Sequence, residues 1–167
     1  MSLTIIIIQF LLGYIYSWYS EWAIHKYILH RLGRNKKSWW SFHWHDHHKE
    51  CRKNNNYDKM YNLWFWKHPA RFREVLGLFL LALIHLPFTW LAPVFYGVVL
   101  AQIILYYFTH KYIHLNVEWG KTYRPWHYEH HMGSNQEKNF GVVDCVFDYI
   151  LKTREKFHET SISSKER

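Results

Sequence analysis

Cysteine, proline and glycine are all scarce in this chain of 167 residues, which contains only two, four and seven of them. Cys51 and Cys145 lie far apart with no CxxC spacing, which excludes a thiol-rich metal site, and both fall in the basic stretches expected on the cytoplasmic side, where a disulfide is not expected. His110 to Arg167 contains no Gly-rich or Ser-rich linker, and the length fits one domain. Charge is also missing from two long stretches. Leu3 to Tyr19 holds no Lys, Arg, Asp or Glu, and neither does Val75 to Phe108 with its 34 positions. The first 25 residues carry no Lys or Arg. An N-terminal apolar run with neither a basic start nor a small-residue cleavage site reads as a retained anchor, not a signal peptide.

Apolar, aromatic and basic residues fill the chain instead. It is 49% hydrophobic and 20% aromatic, with 10 Trp, 14 His and a formal net charge of +8. The basic residues fall in two stretches, Lys26 to Arg73 and Lys111 to Arg167, separated by the second apolar block. That is the distribution expected of segments held on the cytoplasmic side of a membrane. No nucleic-acid-binding motif accompanies the charge, so no nucleic-acid partner is expected.

Residues 3 to about 30 read as one helix, with Trp18 and Trp22 where apolar gives way to polar. Gly33 to Ser38 reads as a break, Arg52 to Lys59 as a loop, and Met60 to Arg73 as an element lying in the membrane interface. The second block, with its flanks from Arg71 to His110, has room for a helical hairpin turning between Pro87 and Pro93. The expected architecture is all-α, with about three membrane helices beneath a histidine-rich helical cap. Residues 1–153 form the single domain, and 154–167 a polar tail. One span precedes the first histidine groups and two more separate them from the last. All the histidine groups therefore share one face, the basic one.

Four groups stand out: His25-x4-His30, His43-x3-His47-His48, His110-x3-His114 and His127-x2-His130-His131. Neutral imidazole suits Fe, Zn, Cu or Ni. On a helix, His110 and His114 share a face, as do His127, His130 and His131. His25 and His30 do not, because five residues put them about 140° apart at ~3.6 residues per turn. The helix is expected to loosen near Leu29, or the ions to sit beside its end. Ten imidazoles exceed the positions on one transition ion, so two ions with about five ligands each are expected. His45 is an alternative to His43, which is favoured because its i,i+4 relation to His47 converges better. His85, in the second block, suits an interhelical hydrogen bond. His68 and His158 are not assigned to the site. Asp46, Glu129, Asn139 and Asp144 are candidates for orienting ligand imidazoles.

The order HxxxxH, HxxxHH, HxxxH, HxxHH resembles the fatty acid hydroxylase and sterol desaturase superfamily of membrane di-iron enzymes. Asn139 to Thr153 (NFGVVDCVFDYILKT) is similar to that family's closing motif, and the resemblance runs from about Ser17 to Thr153. It implies a helical membrane anchor under a cytosolic cap, with two Fe ions on the ten histidines. It also implies O2 as co-substrate, a lipid substrate and a separate electron donor, cytochrome b5-like or ferredoxin-like. The activity implied is hydroxylation or desaturation of a C–H bond, in a fatty-acyl or sphingolipid-type chain, within a bacterial inner membrane or endoplasmic reticulum. Zinc can replace iron in such imidazole sites during purification. Members usually have a four-helix anchor, one more than the three spans counted here. The short length and the HKYILH group also resemble bacterial-type carotenoid hydroxylases, which would make the substrate a carotenoid ring.

Three other classes fit less well. A zinc hydrolase would carry HExxH, which is absent. A membrane metal-binding or transport protein would place ligands at mid-span, whereas these histidines sit at span ends. A bis-histidine haem protein would pair histidines on facing spans.

Overall fold

The structure, a computed structural model, describes residues 1–156. The described residues are all helix and connecting turn, without a strand. Helix α1 (Leu3–Ala23) is capped by the Ser2 hydroxyl and continues without interruption into a π-helix, Ile24–Leu32. A connection of successive turns, residues 33–42, leads to a second π-helix, His43–His48, and then to α2 (Lys49–Lys53). The stretch read as one interfacial element is instead two short 3-10 turns, Lys59–Asn62 and Phe65–Lys67, followed by the start of α3 (Pro69–Ile84). His68 caps α3, its ring accepting from the Ala70 N–H, with Pro69 in the first turn where no donor is needed. The short α4 (Phe88–Leu91) lies in the turn between Pro87 and Pro93, and α5 (Pro93–Leu115) returns from it. Helices α6 (Val117–Tyr123), α7 (Pro125–Met132) and α8 (Val146–Ile150) complete the chain.

Helices α1 and α5 run side by side in the same direction. Gln9 of α1 accepts from the Val94 N–H at 3.1 Å, satisfying a free donor at the start of α5. One turn on, Gly13 lies against Val98, and a Cβ on Gly13 would stand 2.8 Å from the Val98 Cβ. The small residue lets the two backbones approach. The outward faces stay apolar: Ile7, Leu11, Leu12, Ile15, Ile104 and Phe108 are all exposed. Two helices, Leu3–Leu32 and Pro93–Leu115, are long and apolar enough to cross a membrane. The third expected span, α3, has 16 residues and is ~24 Å long at ~1.5 Å per residue.

The closing segment is gathered by hydrogen bonds around Asp148. Its carboxylate accepts from the Phe140 and Gly141 N–H groups at 2.9 and 2.8 Å and from the Thr153 hydroxyl at 2.7 Å. Glu21 and Trp22 of α1 hold it from below: Glu21 accepts from the Val142 and Val143 N–H groups, and the Trp22 indole donates to Thr153. Gly141 is required by crowding, since a Cβ there would lie 1.9 Å from the Asp144 carbonyl oxygen. Arg154 and Glu155, read as the start of a polar tail, are tied back to Asn139. The rest of that tail from residue 157, His158 included, lies outside the described residues.

Candidate metal centre

All ten imidazoles named from the four sequence groups meet at the end of the α1–α5 pair, and none is more than 5% exposed. They form two adjoining groups. His25, His30, His43, His48 and His130 make one, and their ligand atoms all lie within 4.8 Å of one another. His47, His110, His114 and His131 make the other. His127 joins the second, its Nε2 standing 3.1 Å from that of His114 and 3.2 Å from that of His131.

The two π-helices explain the partition. In a π-helix the backbone hydrogen bond spans five residues instead of four, so residues i and i+5 come onto one face. His25 and His30 have that spacing, as do His43 and His48, and all four belong to the first group. The expected loosening of the helix at Leu29 is thus a full π-helix. The expected convergence of His43 with His47 is corrected: His47 belongs to the other group, with His110, His114 and His131. His43, not His45, lies among the imidazoles. The ring of His45 faces outward and its Nε2–H donates to the Arg34 carbonyl at 2.9 Å.

Most of the rings are held in one tautomer. The Nδ1–H groups of His25 and His130 donate to the carbonyls of Phe140 and Lys138 at 2.5 and 2.6 Å. His114 donates to the Asn56 carbonyl and His47 to Asp58 Oδ2, both at 2.8 Å. His110 faces the Tyr61 hydroxyl at 2.8 Å and Glu74 at 3.2 Å, and His30 faces Glu137 at 3.2 Å. A proton fixed on Nδ1 leaves a lone pair on Nε2. Those Nε2 atoms point at each other, at 2.9 Å for His25 and His43, 3.0 Å for His30 and His130, and 3.2 Å for His48 with either His43 or His130. The Nε2 atoms of His47 and His110 are buried with no hydrogen-bond partner. Converging lone pairs repel unless a cation lies between them. Two imidazoles bound at right angles to one ion at ~2.1 Å would stand ~3.0 Å apart, as these do. Each group could therefore hold a metal ion, and the residues fit one.

Burial favours the form of histidine that binds metal. Removal from water, followed by the neighbouring imidazoles, holds His43, His48, His127, His130 and His131 well below the usual histidine range. Asp58 is held below its ordinary value: burial is the largest influence and works against this, but the hydrogen bonds from His47 and the Met60 N–H, with the attraction of the nearby imidazoles, together outweigh it. Cys51 lies 3.4 Å from His114 Nδ1 and belongs to a third possible cation group with His47 and Asp58. Burial pushes its thiol well up, so it stays protonated and packs as a small apolar residue. Both cysteines are free.

The orienting groups differ from those expected. Asp46 is exposed, Glu129 pairs with Arg154 at 2.5 Å, Asn139 binds Arg154 and the Glu155 backbone, and Asp144 caps the Val146 N–H. No hydrogen bond joins any of them to a ligand imidazole among the described residues. Asp46 and Glu129 each sit beside a ligand on a helix, where successive side chains point apart. The groups that do orient the rings are Asp58, Glu74, Tyr61, Glu137 and Gln136, together with three backbone carbonyls. Asp58 alone left a trace in the sequence, as the acid ending the loop after the second histidine group.

A cavity of about 360 Å3 runs from this cluster between α1, α3 and α5. Ile24, Ile28, Leu78, Leu81 and Ile103 supply much of its wall. At its inner end are His25, His43, His47 and His110. At its outer end Tyr16 donates to His85 Nε2 at 2.6 Å, while His85 Nδ1–H donates to the Leu81 carbonyl. This bond between α1 and the α3 turn is the kind expected for His85.

No protein-family model, no curated protein and no solved structure matches this chain.

Proposed function

We propose that this chain is a membrane-bound, non-haem di-iron oxygenase that hydroxylates or desaturates a C–H bond of a lipid. The observation that carries this reading is the apolar cavity ending on four imidazoles, two from each metal-holding group. A cavity of this volume lies at the small end of ordinary ligand sites. Its apolar walls suit a hydrocarbon chain, and its position between apolar helices suits one entering from a bilayer.

An unactivated C–H bond offers neither an acidic proton nor an electrophile, so side-chain acid–base chemistry cannot attack it. Iron held by the two groups would supply the redox chemistry for O2 activation. The protein's own residues bind, orient and exclude. His25, His30, His43, His48 and His130 would hold one ion, and His47, His110, His114, His127 and His131 the other. Asp58, Glu74 and the carbonyls of Phe140, Lys138 and Asn56 keep the rings aimed. Ile24, Leu29 and Phe42 at the inner end keep bulk water from the reacting carbon. Two reducing equivalents would come from an electron donor of the cytochrome b5-like or ferredoxin-like kind. Three crossings, with α3 as the third, would put the site on the cytoplasmic face, where the basic residues gather.

Metal analysis and lipid mass spectrometry test this together. Purified wild-type protein is expected to carry two irons without a haem spectrum, and cells expressing it to gain a lipid product heavier by one oxygen or lighter by two hydrogens. His130→Ala and His47→Ala each remove a ligand, from different groups, and are expected to lower the iron content and abolish the product. Full iron and full product in either variant would overturn the assignment. A carotenoid product would move the substrate to the ring-hydroxylase branch.

A further inference from the structure

The cavity is not apolar throughout. Gln102, Tyr106, His110 and His114 recur every fourth residue on α5, so one stripe carries polarity from the imidazoles back toward the outer turn. Gln102 lines the cavity, is only 8% exposed, and has no hydrogen bond to its amide among the described residues. The register of α1 against α5 brings an unsatisfied hydroxyl to the same level. Gln9 meets Val94 and Gly13 meets Val98, so the same register carries Ser17 to the level of Gln102. Ser17 also lines the cavity, and its hydroxyl is buried without a partner.

Buried amides and hydroxyls ordinarily find partners, and leaving them unmade is costly. The acidic and basic side chains nearby already have partners: Glu21 Oε1 accepts two backbone N–H groups, and Arg71 is paired with Glu74. Beyond Gln102 the wall becomes apolar again, with Leu80, Leu81 and Ile84 before the Tyr16–His85 bond.

We propose that the cavity binds an apolar chain bearing one uncharged hydrogen-bonding group, a hydroxyl or a carbonyl, at an internal position. That group sits between Gln102 and Ser17, with hydrocarbon on both sides. The carbon offered to the imidazoles then lies ~12 Å further along, eight residues of α5 at ~1.5 Å each. This deepens the reading of the cavity as a substrate site and rests on it. Gln102 and Ser17 act as specificity determinants: an amide offers both a donor and an acceptor, and so takes either group.

Binding to metal-free protein in detergent micelles tests the proposal independently of iron. The probes are a long-chain alkane and a secondary alcohol of the same length with its hydroxyl near mid-chain. Wild-type protein is expected to bind the alcohol about tenfold more tightly than the alkane. Gln102→Leu, an apolar replacement that the helix accepts, is expected to bring that ratio close to one while keeping alkane affinity; Ser17→Ala reduces it in part. Equal affinities in the wild type, or an unchanged ratio in Gln102→Leu, would overturn the proposal and leave the metal centre untouched. If neither probe bound, the channel reading beneath it would fall as well, whatever the iron content.

Discussion

A neutral imidazole has one ring nitrogen to give to a metal, and its other nitrogen decides which one. In this cluster that choice falls to groups far from the histidines in sequence: Asp58 for His47, Glu74 for His110, the Phe140 carbonyl for His25. The ten imidazoles that meet here were legible in the chain because imidazole is rare and its spacing periodic. Their orienting partners were not, because a backbone carbonyl carries no residue signal and a folded chain chooses acids by space. The same burial has a consequence for the metal-free protein. His43, His48, His127, His130 and His131 resist protonation until well below the ordinary histidine value of 6.5, whereas the unfolded chain takes up protons near it. Below that value the unfolded chain binds more protons than the folded one, so acid favours unfolding. Each such group contributes up to about 1.4 kcal/mol per pH unit. The melting temperature of metal-free protein should hold steady above about pH 7 and fall steeply as acid is added below it. A level profile down to about pH 5 would show that these rings are not buried neutral bases.

The five-residue spacing of His25 and His30 is a misfit to an α-helix, and the chain resolves it by widening the turn over Ile24–Leu32 and again over His43–His48. The misfit was legible; its resolution was not, since no residue type reserves itself for a π-helix. The apolar blocks predicted α1 and the α3–α5 hairpin with its proline-bracketed turn, because hydrophobic length is a coarse and robust signal. How closely α1 approaches α5 depends on one residue. A Cβ at Gly13 would stand 2.8 Å from Val98, whereas nothing lies within 4 Å of one at Gly97. Gly13→Val should therefore force the pair apart, costing about 1–3 kcal/mol as overpacking does. Gly97→Ala should cost little, and the added Cβ should favour the helix. Thermal melts of both variants in detergent compare them directly. Equal melting temperatures would mean that the α1–α5 contact does not set the stability of the helical pair.

At the scale of the whole molecule, a parity condition joins the two apolar blocks to the imidazole cluster. Histidines from before the hairpin (His25 to His48) and after it (His110 to His131) can share a pair of ions only if the hairpin returns the chain to the side it left. Helix α3, ~24 Å long by its 16 residues, is short for a bilayer core of ~30 Å. The turn with α4 adds apolar residues at its outer end, Trp90 and Leu91 among them, each more than three-quarters exposed. If α1, α3 and α5 all cross, that turn and the cluster lie on opposite faces of the membrane. Chains whose two native cysteines are replaced, carrying either Trp90→Cys or Lys37→Cys, test this with a maleimide that cannot enter cells. Both positions are exposed, so labelling reports sidedness and not burial. The cysteine at position 90 should react in intact cells, and that at 37 only after the membrane is opened. Reaction of both from the same side would leave α3 and α5 lying along the membrane surface, and would remove the route by which a bilayer lipid reaches the imidazoles.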